Sequence, residues 1–471
     1  MSLAISDGRL LWIAVWLTTG LSAPCLAQSS AKSDTTTPAE WIQARGGTDN
    51  AGSIPGALHV EWQFRASHPV RAISVAAGAV LLGTESEDAR GAATGPDQRG
   101  TVIALDAATG RRRWIDTFPS WIHGDAAIFH GRAYVTYGRW PMTSAGGIAC
   151  VDLVSGKLLW TRAFPSGVMP APAIDSLEDL VIVAGGDGVL SLLSLDNGKL
   201  QAELGLKASN AMSSPRIDPL GMVTFGAGSI VSSILPASHS FVWKVRFPRL
   251  HSIGDIPVAL TDNLVLTTGT QNYGFWNAYR ALPVSRFSGL MGEGLRSKKW
   301  SGYRSWMQQQ WLLALERSTG RVMWKQPLGV GLQVPRNTSG TPVVAGNRVI
   351  ISSPVSKTVW AFDRDTGHEI WSRELGAAHK GAVTIVGDEL VLGDRKGQLI
   401  WLRLSTGELL GSCNAGTAFS PLAPIVVGKT LFTATDDGYV HAASYENVRR
   451  VALARGGRSS CFTEGESALN P

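Results

Sequence analysis

Val102-Ile-Ala-Leu-Asp106-Ala-Ala-Thr-Gly110-Arg-Arg-Arg-Trp114 decides the reading of this chain, because it recurs. Close copies are Ile148-Ala-Cys-Val-Asp-Leu-Val-Ser-Gly156-Lys-Leu-Leu-Trp160, Leu312-Leu-Ala-Leu-Glu-Arg-Ser-Thr-Gly320-Arg-Val-Met-Trp324 and Val359-Trp-Ala-Phe-Asp-Arg-Asp-Thr-Gly367-His-Glu-Ile-Trp371. Shorter copies end at Gly198 and Gly407. The glycines stand 46, 42, 122, 47 and 40 residues apart, so two degraded units lie in the long gap. In the four close copies an apolar run of strand length ends in an acidic residue, two free positions and Thr-Gly or Ser-Gly. The carboxylate can accept from the turn's own amides, and glycine supplies the positive φ of a short hairpin. A second strand pair precedes each unit, with hairpin signals such as His130-Gly131 and Gly346-Asn347. Four strands per 40 to 50 residues predict an all-β, eight-bladed β-propeller of four-stranded antiparallel blades.

The count closes at eight only if the chain ends meet. The last unit stops after Tyr439-Val-His-Ala-Ala-Ser-Tyr445, and His59-Val-Glu-Trp62-Gln-Phe64 supplies the missing fourth strand, so an N-terminal strand joins the C-terminal blade. Blade four, from Ala211 to Phe247, has lost its turn motif but keeps Trp243, and blade five is about thirty residues too long. The equivalent tryptophans Trp62, Trp114, Trp160, Trp243, Trp324 and Trp371 are expected to be structural rings at the seams between blades.

This repeat resembles the pyrroloquinoline-quinone (PQQ) family of propellers, and the likeness covers nearly the whole chain after its leader. The family spans two activities, so function has to be read from the site. Its alcohol dehydrogenases imply a vicinal Cys-Cys ring, a Ca²⁺ site and an Asp base, but this sequence has no Cys-Cys pair. A second branch, the lipoprotein subunit of the outer-membrane β-barrel assembly machinery, implies a cofactor-free scaffold and is similar to this chain in blade number and length. The expectation is therefore a non-catalytic scaffold with no cofactor. The alternative is a PQQ- and Ca²⁺-dependent alcohol or sugar dehydrogenase.

Composition agrees. The chain has 471 residues, 17% charged and 44% apolar, which excludes a disordered chain and gives enough length for a large core. The formal charge of +6 arises from 43 basic against 37 acidic residues, a balance that does not point to nucleic acid. Seventeen Trp outnumber thirteen Phe and seven Tyr.

Arg9, the apolar run Leu10–Ser22 and the exit Cys25-Leu26-Ala27 predict a signal peptide over residues 1–27, cleaved after Ala27, and a periplasmic or secreted protein. Ser22-Ala23-Pro24 fits a lipidation signal poorly, so an outer-membrane anchor is not the expectation, and no later stretch is long and apolar enough to span a membrane. Residues 28–57 read as a flexible N-terminal segment, 58–447 as the propeller and 448–471 as a flexible tail. Cys413 and Cys461 could bridge in an oxidising compartment, but separation says nothing of geometry and idle thiols are expected.

Two places carry candidate function. The insertion in blade five, 272–310, interleaves aromatic and basic residues: Trp276, Tyr279, Arg280, Lys298, Lys299, Trp300, Tyr303, Arg304 and Trp306. Such rings and cations suit a protein or cell-envelope partner, anionic or glycan-bearing. The second place is the channel mouth, where Arg71, His123, Asp125, Asp255, His379 and Lys380 precede innermost strands. A His and Asp cluster could bind metal or share a proton, but no metal-ligand spacing repeats, and a water-filled funnel of mixed charge is the expectation.

Overall fold

Each intact turn motif builds the hairpin expected of it. In the computed structural model, Asp106 Oδ1 accepts from the amides of Ala108 and Thr109 and from the Thr109 hydroxyl at 2.9–3.1 Å. Asp363 does the same for Asp365 and Thr366. The structure describes residues 40–41, 43–86, 99–139, 144–208, 212–251, 253, 256–273, 280, 282–285, 288–291, 307–332, 340–419, 422–455 and 459–462.

Among them stand eight antiparallel sheets. Blade one is Val70–Ala76, Ala79–Thr84, Gly100–Asp106 and Arg112–Phe118, paired in chain order. Its first strand is buried throughout and its fourth alternates toward solvent, so the chain of each blade runs from axis to rim. The other inner strands are Ala127–Phe129, Ala173–Asp175, Arg216–Ile217, Ala259–Leu260, Val343–Ala345, Thr384–Val386 and Ile425–Val427. Blade eight closes as the sequence predicts: Trp62–Arg65 pairs antiparallel with Tyr439–Ser444, Trp62 opposite Ala442. The apolar core lies between neighbouring blades. Ile182 and Leu192 of blade three, for instance, pack with Phe225 and Ile234 of blade four.

The six tryptophans sit where the repeat places them. Each donates its indole N–H to a carbonyl in the next blade's turn: Trp62 to Ala107, Trp114 to Leu153, Trp160 to Leu195, Trp243 to Arg317, Trp324 to Arg364 and Trp371 to Leu404, at 2.7–3.1 Å. Each ring also lies against the glycine of that turn. Two seams lack a tryptophan. Ala202 takes its place on blade three, and on blade four the receiving glycine is replaced by His239, held at φ 50°. The indole and the bare glycine are lost together, because a side chain at 239 would occupy the ring's space.

At the seam between blades seven and eight Gly411 stands in the Trp position, and the C-terminal helix Tyr445–Arg455 covers it, the Ala452 carbonyl pressed on Gly411. Glu389 accepts from Tyr445 Oη at 2.9 Å and from Arg449 Nε at 2.7 Å. Cys413 and Cys461 form a disulfide, and the Cys413 amide's neighbour Asn414 exchanges backbone bonds with Ser459 and Cys461. The tail expected to be flexible is thus helical to Arg455 and tied to the rim at 459–462, and the idle thiols expected at Cys413 and Cys461 are a bridge. The reason is long-range: the helix buries Val448 and Ala452 against blade seven and brings the two sulfurs together. Cys150 is a buried free thiol, pushed up to about 11 by burial.

Blade five departs from the others in strand length. Leu264–Asn272, Met307–Glu316 and Val322–Leu332 have 9, 10 and 11 residues, and overhang the ring by about 10 Å at the usual rise of a strand. The loop between second and third strands is therefore shorter than the sequence suggested, with strand continuing to Asn272 and resuming at Met307. Met307 and Val330 pack at the tip with Tyr273, Leu282, Leu290 and Met291. No helix among the described residues is long and apolar enough to cross a membrane.

Candidate functional site

The channel has two ends, and the sequence prepared only one of them. At the mouth, where inner strands begin and where second strands turn into third strands, Arg71 bridges blades one and eight: Nε lies 2.8 Å from Glu85 Oε1 and Nη1 2.9 Å from Asp436 Oδ1. Burial works against the guanidinium's charge, but the two carboxylates outweigh it and raise the pKa of Arg71. His123 Nε2 stands 3.9 Å from the other oxygen of Glu85. Further round, His379 is 3% exposed, its Nδ1 3.3 Å from the Gly393 carbonyl. Burial pushes its pKa down to about 4 against the pull of Asp394, so the ring is neutral at pH 7. Lys380 beside it is partly buried. Asp255 lies outside the described residues, and among those described no three His, Cys, Asp or Glu side chains are grouped to hold a metal ion.

Asp125, just before the inner strand Ala127–Phe129, faces inward from the mouth. Its two oxygens accept from the backbone amides of Arg45, at 3.1 Å, and Ile73, at 3.2 Å, and burial raises its pKa although both bonds oppose that shift. The partner is unexpected: Arg45 belongs to the segment read as flexible. The described residues of 40–54 instead run along the inner strands. Trp41 is 1% exposed and exchanges backbone bonds with Ile128 of blade two at 2.8 and 2.9 Å. Gln43 Oε1 takes the amide of Ile217 in blade four. The carbonyls of Thr48, Asp49, Ala51 and Gly52 then accept from Leu260, Val344, Ile385 and Val426, one blade after another from five to eight, at 2.9–3.0 Å. Ser53–Ile54 adds a short parallel strand to Ile425–Val427.

Three polar side chains fasten this arm. Arg45 donates from Nε to the Asn50 carbonyl at 2.9 Å and from Nη2 to Val383 O and Thr384 Oγ1 at 3.0 and 3.2 Å. Asn50 Nδ2 reaches Val258 O and Pro342 O at 3.2 and 2.9 Å. Arg216, fully buried, donates to Ala44 O, Asn50 Oδ1 and Val258 O. Burial, together with the nearby Arg45 charge, pulls Arg216 down to about 9, and burial pulls Arg45 down to about 10, with Asp125 and Asp49 partly compensating in both.

Of the insertion residues singled out in the sequence, Arg280 is described and exposed; Trp276, Tyr279, Lys298, Lys299, Trp300, Tyr303, Arg304 and Trp306 lie outside the described residues. The strand ends that flank the insertion are described. The insertion leaves the overhanging strands of blade five from the same type of loop that carries Glu85 after Ala79–Thr84, Asp394 after Glu389–Gly393 and Asp436 after Thr430–Ala434, hence on the mouth side. Sequence reasoning missed Glu85, Asn50, Arg45 and Arg216. Only Trp41, a large ring in a segment otherwise rich in small and polar residues, was a signal that the arm is buried.

The tryptophan seams, the turn chemistry and the ring closed by its own N-terminal strand define an eight-bladed propeller of PQQ-type repeats. The family model described as outer membrane protein assembly factor BamB matches residues 98–278 and 305–418, and the chain belongs to that family. It is similar to the outer membrane protein assembly factor BamB of Yersinia pestis, 20% identical over 74% of this chain and 80% of that one, and to that of Xanthomonas campestris, 36% identical over 28% and 30%. It is also similar to a tetrathionate hydrolase of Acidithiobacillus ferrooxidans, 23% identical over 65% of this chain and 57% of that protein. The chain thus covers less than two thirds of the length of the tetrathionate hydrolase and of the Xanthomonas protein. Among solved structures, BamB from Moraxella catarrhalis superposes with a TM-score of 0.55 at 16% identity, covering 81% of this chain and 97% of that one. A quinohemoprotein alcohol dehydrogenase from Pseudomonas putida does so with 0.55 at 12% identity, over 88% and 83%. These two likenesses concern the fold.

Proposed function

We propose that this chain is an exported, non-catalytic scaffold of the cell envelope, which binds a protein or an anionic or glycan-bearing envelope component through the blade-five insertion and the channel mouth. The observation that carries the reading is the overhang of blade five. Strands of 9 to 11 residues carry the ends of the basic, aromatic insertion, Asn272 and Met307, beyond the shorter strands of the other blades on the mouth side. Membership of the BamB family supports a role in assembly rather than chemistry. The mouth residues suit a quinone and Ca²⁺ poorly: the chain has no vicinal cysteines, and Glu85 and Asp436 are engaged by Arg71. The reading therefore carries no cofactor, and it places the mature chain in the periplasm or outside the cell, released from its leader after Ala27.

Affinity capture from envelope extracts tests it, comparing the full chain with a variant lacking Phe275 to Trp306. Capture should be lost while thermal melting stays cooperative; capture by both proteins alike would refute the insertion's role. The similarity to a tetrathionate hydrolase keeps an oxidoreductase or hydrolase in view. Adding PQQ and Ca²⁺ and following quinone absorbance with dye-linked alcohol oxidation, and separately assaying tetrathionate loss, distinguishes those activities from the scaffold.

A further inference from the structure

The inner strand of every blade is a sheet edge, with one row of backbone N–H and C=O groups turned to the axis, and an open edge is a template for another chain. Propellers bring these edges to one ring. Here Ile128, Ile217, Leu260, Val344, Ile385 and Val426 hold equivalent places, each in the residue pair or triplet that forms its blade's inner strand. All six amides point to one girdle, and all six are taken by residues 41–52. Five of the acceptors are main-chain carbonyls, which any extended polypeptide possesses. Further bonds add to the grip: Asn50 spans the carbonyls of blades five and six, Arg45 reaches blade seven, Arg216 and Asp125 hold Ala44 and the Arg45 amide, and the Gly428 amide donates to Ile54 O. Ring closure does not need this arm. It is made by Trp62–Arg65 on the rim of blade eight, and Pro55 and Gly56, which follow the arm directly, are exposed.

We propose that the girdle of inner-strand amides is a binding site for an extended polypeptide, and that residues 40–54 are its resident occupant, a displaceable plug rather than a part of the ring. The site recognises a chain by β-strand-type bonding to successive blades, with an Asn and an Arg five residues before it as the anchoring pair. It lies along the inner strands rather than on the mouth loops that carry Glu85 and Asp436, and it stands whether or not the insertion binds a partner.

The test uses the full chain with a protease site placed at Pro55–Ala57, so that the arm can be cut from an otherwise complete ring. A fluorescent peptide of residues 40–56 should enter the cut protein saturably, measured by anisotropy, and not the uncut one. The same peptide with Arg45→Ala and Asn50→Ala should bind about tenfold or more weakly. Failure of the peptide to enter, or equal entry of the doubly substituted peptide, overturns the proposal. So does loss of cooperative melting on cutting, which would make the arm integral to the ring. A second measurement needs no cut. In the uncut chain with Arg45→Ala and Asn50→Ala, amide hydrogen exchange should accelerate at Ile128, Leu260, Val344 and Ile385 while third-strand amides such as Leu313 and Ala361 keep their protection. Unchanged protection at the girdle, or acceleration throughout the blades, counts against it.

Discussion

The indole of Trp324 lies on Gly367 of the next blade: a Cβ built on that glycine would stand 2.6 Å from the ring's Cδ2, and the indole N–H reaches the Arg364 carbonyl at 3.0 Å. Gly367 also has φ +72°, so two demands meet at one residue. Gly367→Ala is expected to cost about 2–4 kcal/mol through clash and strain, and Trp324→Ala about 3–5 kcal/mol through the emptied seam. Chemical denaturation of each variant checks both.

The pair Ala202 and His239 gives the converse. Ala202→Trp alone should destabilise the protein, because His239 holds the place where the glycine of other seams lies bare. With His239→Gly as well, much of the loss should return, a coupling of about 1–3 kcal/mol in a double-mutant cycle. Additive effects would mean that the two positions do not share a seam.

Acid should loosen this protein early. The pKa of His379 is held near 4, below its usual 6.5, and His441, stacked on Phe462 at 3.9 Å, is likewise lowered to about 4 by burial. A group whose folded pKa is depressed stabilises fully above its unfolded pKa and loses that contribution as pH falls, here between about 6.5 and 4. For His379 the loss is up to about 3 kcal/mol. Melting temperature should fall across that window, and His379→Gln should flatten the fall; a parallel curve for the variant would contradict it.

Arg71 should matter through Glu85, which is 1% exposed. Arg71→Ala strands a buried carboxylate and is expected to cost about 3–5 kcal/mol, whereas replacing both residues by leucine should cost less than the single change. Equilibrium unfolding of the three proteins decides the order.

The bridge between Cys413 and Cys461 closes a loop of 48 residues. Cys413→Ala with Cys461→Ala should lower stability by about 2–4 kcal/mol, chiefly by freeing the unfolded chain. Reductant should lower the melting temperature of the parent alone, and an equal effect on the variant would show that the bridge is not its cause.

Much of this was legible in the repeat. Asp-x-x-Thr-Gly-x-x-x-Trp is local chemistry, a side chain satisfying its own turn and an indole at a set distance along the strand, so blade number, strand order and the six seams follow from counting. Glu85 and Asp436 were not legible, since each lies in a loop with no motif and acquires its role from an arginine far off in the chain. Nor was the C-terminal helix, whose sequence resembles a basic tail until Gly411 leaves room for it.

What the sequence determined by itself was everything periodic: the propeller, its closure by the N-terminal strand carrying Trp62, and the six seam tryptophans. Only the tertiary structure decided what fills the axis. Residues 40–54 have no periodic pattern and little apolar surface, and nothing local orders them. They become ordered because six inner edges converge and leave their amides facing one girdle, an arrangement that exists only once the ring is closed.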